Sequence, residues 1–120
     1  MARALVVKVT CATEAPERAN QAFTVAAAAA ASGAEVSLWL TGDAVWFGVA
    51  GRTPDLGLEH ATPVADLLDV VLATGTVSVC SQCAARRSVV EADLVDGARI
   101  AGAAGFAEEV LRDGVQALVY

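Results

Sequence analysis

Ala4-Leu-Val-Val-Lys-Val9 is followed by a polar turn, then by Pro16-Glu-Arg-Ala-Asn-Gln-Ala-Phe-Thr-Val-Ala-Ala-Ala-Ala-Ala-Ala-Ser32-Gly33 and by Glu35-Val-Ser-Leu-Trp-Leu40. The first run is short, apolar and rich in valine, the pattern of a buried strand. In the second, Pro16 suits the first turn of a helix, where its missing N–H costs nothing. Glu17 sits at the positive end of the helix dipole. Six consecutive alanines favour helix and let it approach a neighbouring layer closely, and Gly33 is a natural C-terminal cap. The third run is again a strand. Strand, helix, strand within forty residues implies a parallel pair joined by a right-handed crossover.

The same alternation continues outward. Thr41-Gly42-Asp43 turns the chain, with Asp43 as the expected N-cap of a short helix ending at Phe47 or Val49. Gly51 to Pro63 carries Pro54, Gly57 and Pro63 and reads as a loop or lid. Val64 to Thr74 forms a helix with Val64, Leu67, Leu68 and Val71 on one face, closed by Gly75. Thr76 to Val79 is the third strand. Cys80 to Arg87 opens a turn or helix, and Val90 to Val95 a short one. Ala98 to Ala101 is a brief strand, Phe106 to Arg112 the last helix, capped at Gly114, and Val115 to Tyr120 the last strand. The expectation is an α/β fold: three layers, α/β/α, around a mostly parallel sheet of about five strands. No repeat or linker divides residues 1–120, so they form one domain.

Composition narrows the function classes. Of 120 residues, 56% are hydrophobic and 18% charged, which excludes intrinsic disorder. With 8 basic and 14 acidic residues the net charge is −6, so no footprint for nucleic acid or an anionic membrane is present. The longest apolar stretch, Val25 to Ala31, falls far short of the ~20 residues of a membrane span. The first ten residues do not read as a signal peptide, because the apolar segment is short and Lys8 interrupts it. Three cysteines, Cys11, Cys80 and Cys83, are an odd number in a chain long enough to fold without bridges. Reduced thiols and a cytoplasmic location are therefore expected. The apolar surplus points to buried subunit contacts.

In a parallel sheet, ligands bind beyond the carboxyl ends of the strands. Those ends here carry Thr10 and Cys11, then Thr41, Gly42 and Asp43, then Cys80, Ser81, Gln82 and Cys83. Cysteine is also a small buried hydrophobe, and Cys11 reads as one. Cys80 ends a strand and begins a helix, where free N–H groups favour a thiolate. Cys83 and Arg87 follow at i+3 and i+7 on the same helical face, and a cation there would favour anionic sulfur. Arg86 reads equally as a solvated helix end. Cys80-Ser-Gln-Cys83 is a C-x-x-C, ambiguous alone. A structural zinc needs four ligands and the chain has no second paired motif, so no metal is expected. A dithiol redox pair remains open, although the motif follows the third strand and lacks the thioredoxin context. His60, the only histidine, reads as an exposed loop residue. No catalytic triad, phosphate loop or dinucleotide fingerprint is present, and no cofactor is expected.

Nearly end to end, the chain resembles the DsrE/DsrF-like proteins, which include sulfur-relay subunits of the TusD type and YchN-like proteins. Pro16-Glu-Arg-Ala-Asn-Gln-Ala22 is similar to the family's helix opening, and Leu40-Thr-Gly-Asp-Ala-Val45 to its turn. The most specific stretch is Val79-Cys-Ser-Gln-Cys-Ala-Ala-Arg-Arg87 with Glu91-Ala-Asp-Leu-Val-Asp-Gly97. Ser88 stands where the family has glycine. The resemblance implies a cytoplasmic protein that assembles as a trimer or hexamer. It would accept sulfane sulfur on Cys80 as a persulfide from a donor protein and pass it to an acceptor. By the same resemblance Arg87, and less surely Arg86, would stabilise the anionic sulfur, while Thr10, Cys11 and Asp43 would line the pocket. Cys83 would resolve the persulfide as a disulfide or take a second sulfur. Two readings without relay stay beside it: a dithiol redox or thiol-sensing protein using Cys80 and Cys83, and an oligomeric small-ligand-binding or regulatory module.

Overall fold

In the computed structural model, which describes residues 2–120, five parallel strands form one sheet in the order β4-β3-β2-β1-β5. The strands are β1 (Ala4–Val9), β2 (Glu35–Leu40), β3 (Thr76–Cys80), β4 (Ala98–Ala101) and β5 (Val115–Val119). The helices are α1 (Pro16–Ala31), α2 (Val64–Thr74), α3 (Ser81–Arg86) and α4 (Ala103–Val110). Every pairing is parallel, with Lys8 opposite Trp39, Trp39 opposite Ser78, and Cys80 opposite Ala101.

The sheet's two faces differ sharply. Alternation sends Val7, Val9, Val36, Leu38, Leu40, Val77 and Val79 to one side, into a single core with α1 and α2. There α1 buries Ala19, Ala22, Phe23, Ala26, Ala27 and Ala30, a stripe at helical spacing. The alanines keep the helix close, and Phe23 fills the remaining space edge-on to Phe47, with ring centroids 4.8 Å apart. Gly33, at φ 95°, ends α1 through N–H bonds from Gly33 to Ala30 O and from Ala34 to Ala29 O. Gly75 answers to space: a Cβ there would overlap the Val36 carbonyl oxygen, so α2 can turn into β3 only through glycine.

The opposite face carries Val6, Lys8, Ser37, Trp39, Ser78, Cys80 and Arg99, and only α4 covers it. α4 buries no residue of its own. Phe106 stands edge-on to Trp39 at 5.4 Å, and Glu109 accepts hydrogen bonds from Ser37 Oγ and Trp39 Nε1, each at 2.7 Å. β5, at the sheet edge, leaves Leu118 and Val119 exposed.

Several boundaries differ from expectation. β3 runs one residue further, through Cys80. The last helix starts at Ala103, not Phe106, because Ala103-Ala104 are good helix formers and Gly102 supplies the extended entry. Residues 91–93 make one 3-10 turn in place of a longer helix, with Asp93 accepting from the Val90 N–H at 2.9 Å. The segment after β2 is a 3-10 helix, Gly42–Gly48. Its entry residue is Thr41, not Asp43, because Thr41 turns its hydroxyl back to Val9 O and Asp43 pairs elsewhere. Among the described residues no helix is long and apolar enough to cross a membrane.

Candidate functional site

Cys80 is the last residue of β3 and the residue before α3, with extended backbone angles (φ −58°, ψ 126°). Strand parity places it on the α4 face, and its side chain is half-buried. Burial pushes its thiol up. The Cys83 N–H, the Cys83 thiol, the Gln82 N–H and the Lys8 cation act the other way, and together they hold it below the ordinary thiol value. The thiol thus sits at an accessible strand end where the N–H groups of the helix entry and the neighbouring thiol favour its charged form.

Lys8 is the residue that sequence reasoning missed. It interrupts the apolar run of β1, and the same parity that buries Val7 and Val9 sends Lys8 to the Cys80 face. Its Nζ lies 5.0 Å from the centre of the Phe106 ring, a cation–π seat supplied by α4. The signal was present in the alternation, but only the strand order puts β1 near β3 on that face.

Arg87 was expected beside the sulfur, and the structure gives it other partners. Its Nε and Nη2 donate to Asp43 Oδ1 at 3.2 and 2.9 Å, and its Nη1 donates to the Cys83 carbonyl at 3.1 Å. The Arg87–Asp43 pair ties the turn after β2 to the end of α3. Arg86 is exposed. Ser88 takes φ 56°, a left-handed conformation that glycine adopts without steric cost, and closes α3 with its N–H on Ala85 O.

Cys11 is not brought to this surface. It is 4% exposed in the core under α1, and burial raises its thiol above the ordinary value, Glu14 adding to the rise while Arg18 opposes it. Thr10 closes the β1–β5 seam, its N–H and hydroxyl both donating to Tyr120 O. Thr41 ties to Val9 O. Gly42, at φ 55°, lies against the Thr10 carbonyl, where a Cβ would stand 3.1 Å from the oxygen. Ser81 begins α3 and approaches Gly102, and Gln82 is exposed. His60 is exposed in the loop, at φ 64°. No cluster of metal-ligating side chains is found among the described residues. A groove of about 760 Å³ on the α4 face, between Glu35, Trp39, Thr76, Arg99 and Glu109, opens toward the opposite strand ends and does not include Cys80.

The two thiols titrate in opposite senses. The lowered Cys80 value means that its contribution to stability is present above the unfolded thiol's pKa and is lost as pH falls through the folded one. The raised Cys11 value contributes below the unfolded pKa and is lost as pH rises through the folded one.

The profile of the DsrE/DsrF-like family matches residues 4–119. Among solved structures, the YchN protein of E. coli is similar at a TM-score of 0.81 and 22% identity, covering 100% of both chains. A protein of unknown function from Methanobacterium thermoautotrophicum, MTH1491, is similar at a TM-score of 0.73 and 10% identity, covering 98% of this chain and 99% of its own. At such identities the two structures speak for the fold alone. No curated protein matches the chain.

Proposed function

The chain belongs to the DsrE/DsrF-like family, and from that premise we propose that it is a cytoplasmic sulfur carrier. In this reading the Cys80 thiolate accepts sulfane sulfur from a donor protein as a persulfide and yields it to an acceptor. The observation that carries the reading is the Cys80 thiol itself, half-buried where β3 ends and α3 begins, with its pKa lowered by the Cys83 and Gln82 N–H groups. A thiolate is the attacking species in such transfers, and the same donors stabilise the anionic persulfide that results. Lys8 supplies the cation, and Arg87 holds the turn through Asp43.

Alkylation of Cys80 by iodoacetamide, followed across pH, tests the acidity. The midpoint is expected below the ~8.5 of a free thiol. Lys8→Met should move it upward and slow alkylation at neutral pH several-fold, and Lys8→Arg should restore it. A wild-type midpoint at the free-thiol value would remove the basis of the proposal.

The exposed apolar groups Leu111 (80%) and Val119 (64%), with a sheet face covered by one short helix, support assembly into a homotrimer or homohexamer. Sedimentation at micromolar concentration should give one of those masses, and Val119→Asp a smaller one. A monomeric wild type would refute the assembly. The placement of Cys83 three residues after Cys80, in the first turn of α3, also fits a dithiol redox protein. Its mark would be formation of the Cys80–Cys83 disulfide without any sulfur donor.

A further inference from the structure

We infer that β5 is a docking edge for a second copy of this chain, with two β5 strands pairing antiparallel about a two-fold axis through Ala117. The inference rests on the reading that the chain assembles, and it assigns the place and the register of one contact. Among the described residues β5 pairs only with β1. Tyr120 donates its N–H to Lys8 O and accepts the Thr10 N–H at its carbonyl, each at 2.9 Å. In a parallel ladder a residue turns both backbone groups to the same neighbour, and the next residue turns both away. Gln116, Leu118 and Tyr120 therefore serve β1. The open side holds the carbonyls of Val115, Ala117 and Val119 and the N–H groups of Ala117 and Val119. The Val115 N–H already donates to Arg112 O at 3.3 Å.

Two properties fit this edge to a copy of itself. First, it is unguarded. Exposed edges are normally protected by charges, prolines or bulges, and β5 has no charge, no proline and an unbroken register with β1. β4, at the other edge, is only four residues long and carries Arg99. Gly114 to Tyr120 holds no charged residue in a chain of net charge −6, so two copies approach there with the least repulsion. Second, the edge is self-complementary. Antiparallel pairing centred on Ala117 sets Val115 against Val119 of the partner subunit, and Gln116 against Leu118 of the partner subunit. No like charges meet. The open N–H groups of Ala117 and Val119 find carbonyls across the axis, about four backbone bonds in all. The exposed side chains of Leu118 and Val119 gain cover in the same step. One short strand covers less than the ~800 Å² per partner of a stable interface, so this contact joins copies that other surfaces also hold. It fits the two-fold axis between two trimers, and it selects the hexamer over the trimer.

Sedimentation and engineered disulfides test the contact. Wild type is expected to sediment as a hexamer. Ala117→Pro should sediment as a trimer with unchanged circular dichroism, because proline at that position gives up only an open-side N–H. Ala117→Cys, in a chain also carrying Cys80→Ser and Cys83→Ser, should form a disulfide between two copies at position 117 when diamide is added. Facing residues of a bonded antiparallel pair stand about 5.5 Å apart, within disulfide reach. Val119→Cys in the same background should not link to itself, because the register sets the two copies of that position about 14 Å apart. A link at 119 in place of 117, or a wild-type trimer, overturns the edge contact and leaves the assembly reading in place. A wild-type dimer that links at 117 keeps the contact and removes the three-fold assembly. A wild-type monomer with no link at 117 removes both.

Discussion

Cys80→Ser is expected to abolish sulfur uptake, with intact-protein mass unchanged after polysulfide under conditions that load Cys83→Ser with one sulfur. Neither remaining cysteine stands in for the lost one. Cys11 is 4% exposed and its thiol is shifted toward the neutral form, so it lacks both access and charge. Cys83 lies inside α3 and has no strand end of its own. The loss should exceed about a hundredfold in rate, because a serine hydroxyl stays protonated where a thiol ionises. Folding is not at stake. The side chain is half-exposed, and replacing sulfur with oxygen there costs about 1 kcal/mol or less. Unchanged circular dichroism beside a lost mass increment is the expected pair of results. Sulfur appearing on Cys11 or Cys83 of the Cys80→Ser chain would mean that the strand-end site is not the acceptor.

The fold was legible because β1 to β3, α1 and α2 follow the periods of strand and helix. Five short apolar runs separated by helical segments permit little other than a parallel sheet, and glycines at 33 and 75 marked two of the junctions. What the sequence did not carry was the difference between the sheet's faces. Lys8, Trp39 and Ser78 sit in three separate runs. Only the order β3-β2-β1 lines them up across one surface. Lys8 therefore read as a break in an apolar run, although it is a cation on the same sheet face as Cys80 whose charge favours the thiolate. Arg87 looked like that cation because i+7 on a helix suggests a shared face. The carboxylate of Asp43, 44 positions away, takes it instead. Asp43 in turn looked like a helix cap because its nearest neighbours in sequence are the start of a helix. Local rules cannot rank a cap against a partner brought in by tertiary contact.

Glu109→Ala is expected to have the second large effect, on the attachment of α4. Trp39 is only 2% exposed, and its indole N–H has the Glu109 carboxylate as its acceptor at 2.7 Å. Ser37 donates to the same oxygen. Removing the carboxylate strands both donors against the sheet, at a cost of about 3 kcal/mol. The ion pair with Arg99 adds little, because it is stretched to 3.4 Å and Arg99 is 51% exposed, where such pairs contribute about 0–1 kcal/mol. Arg99→Met should therefore cost only about 1 kcal/mol, chiefly through its bond to the buried Ser78 hydroxyl. Glu109→Gln keeps a carbonyl acceptor for the indole and should fall between the two. Urea denaturation ranks the three. The consequence reaches Cys80, because α4 buries no residue to hold it once Glu109 is gone, and Phe106 leaves with it. Lys8 then loses its aromatic seat and becomes free to swing into solvent. The pH midpoint of Cys80 alkylation should rise in Glu109→Ala as it does in Lys8→Met, and amide exchange in α4 should quicken while the α1–α2 side stays protected. Equal costs for Arg99→Met and Glu109→Ala would show that charge pairing, and not the buried indole bond, fastens the helix. An unmoved alkylation midpoint would show that α4 has no hold on the thiol.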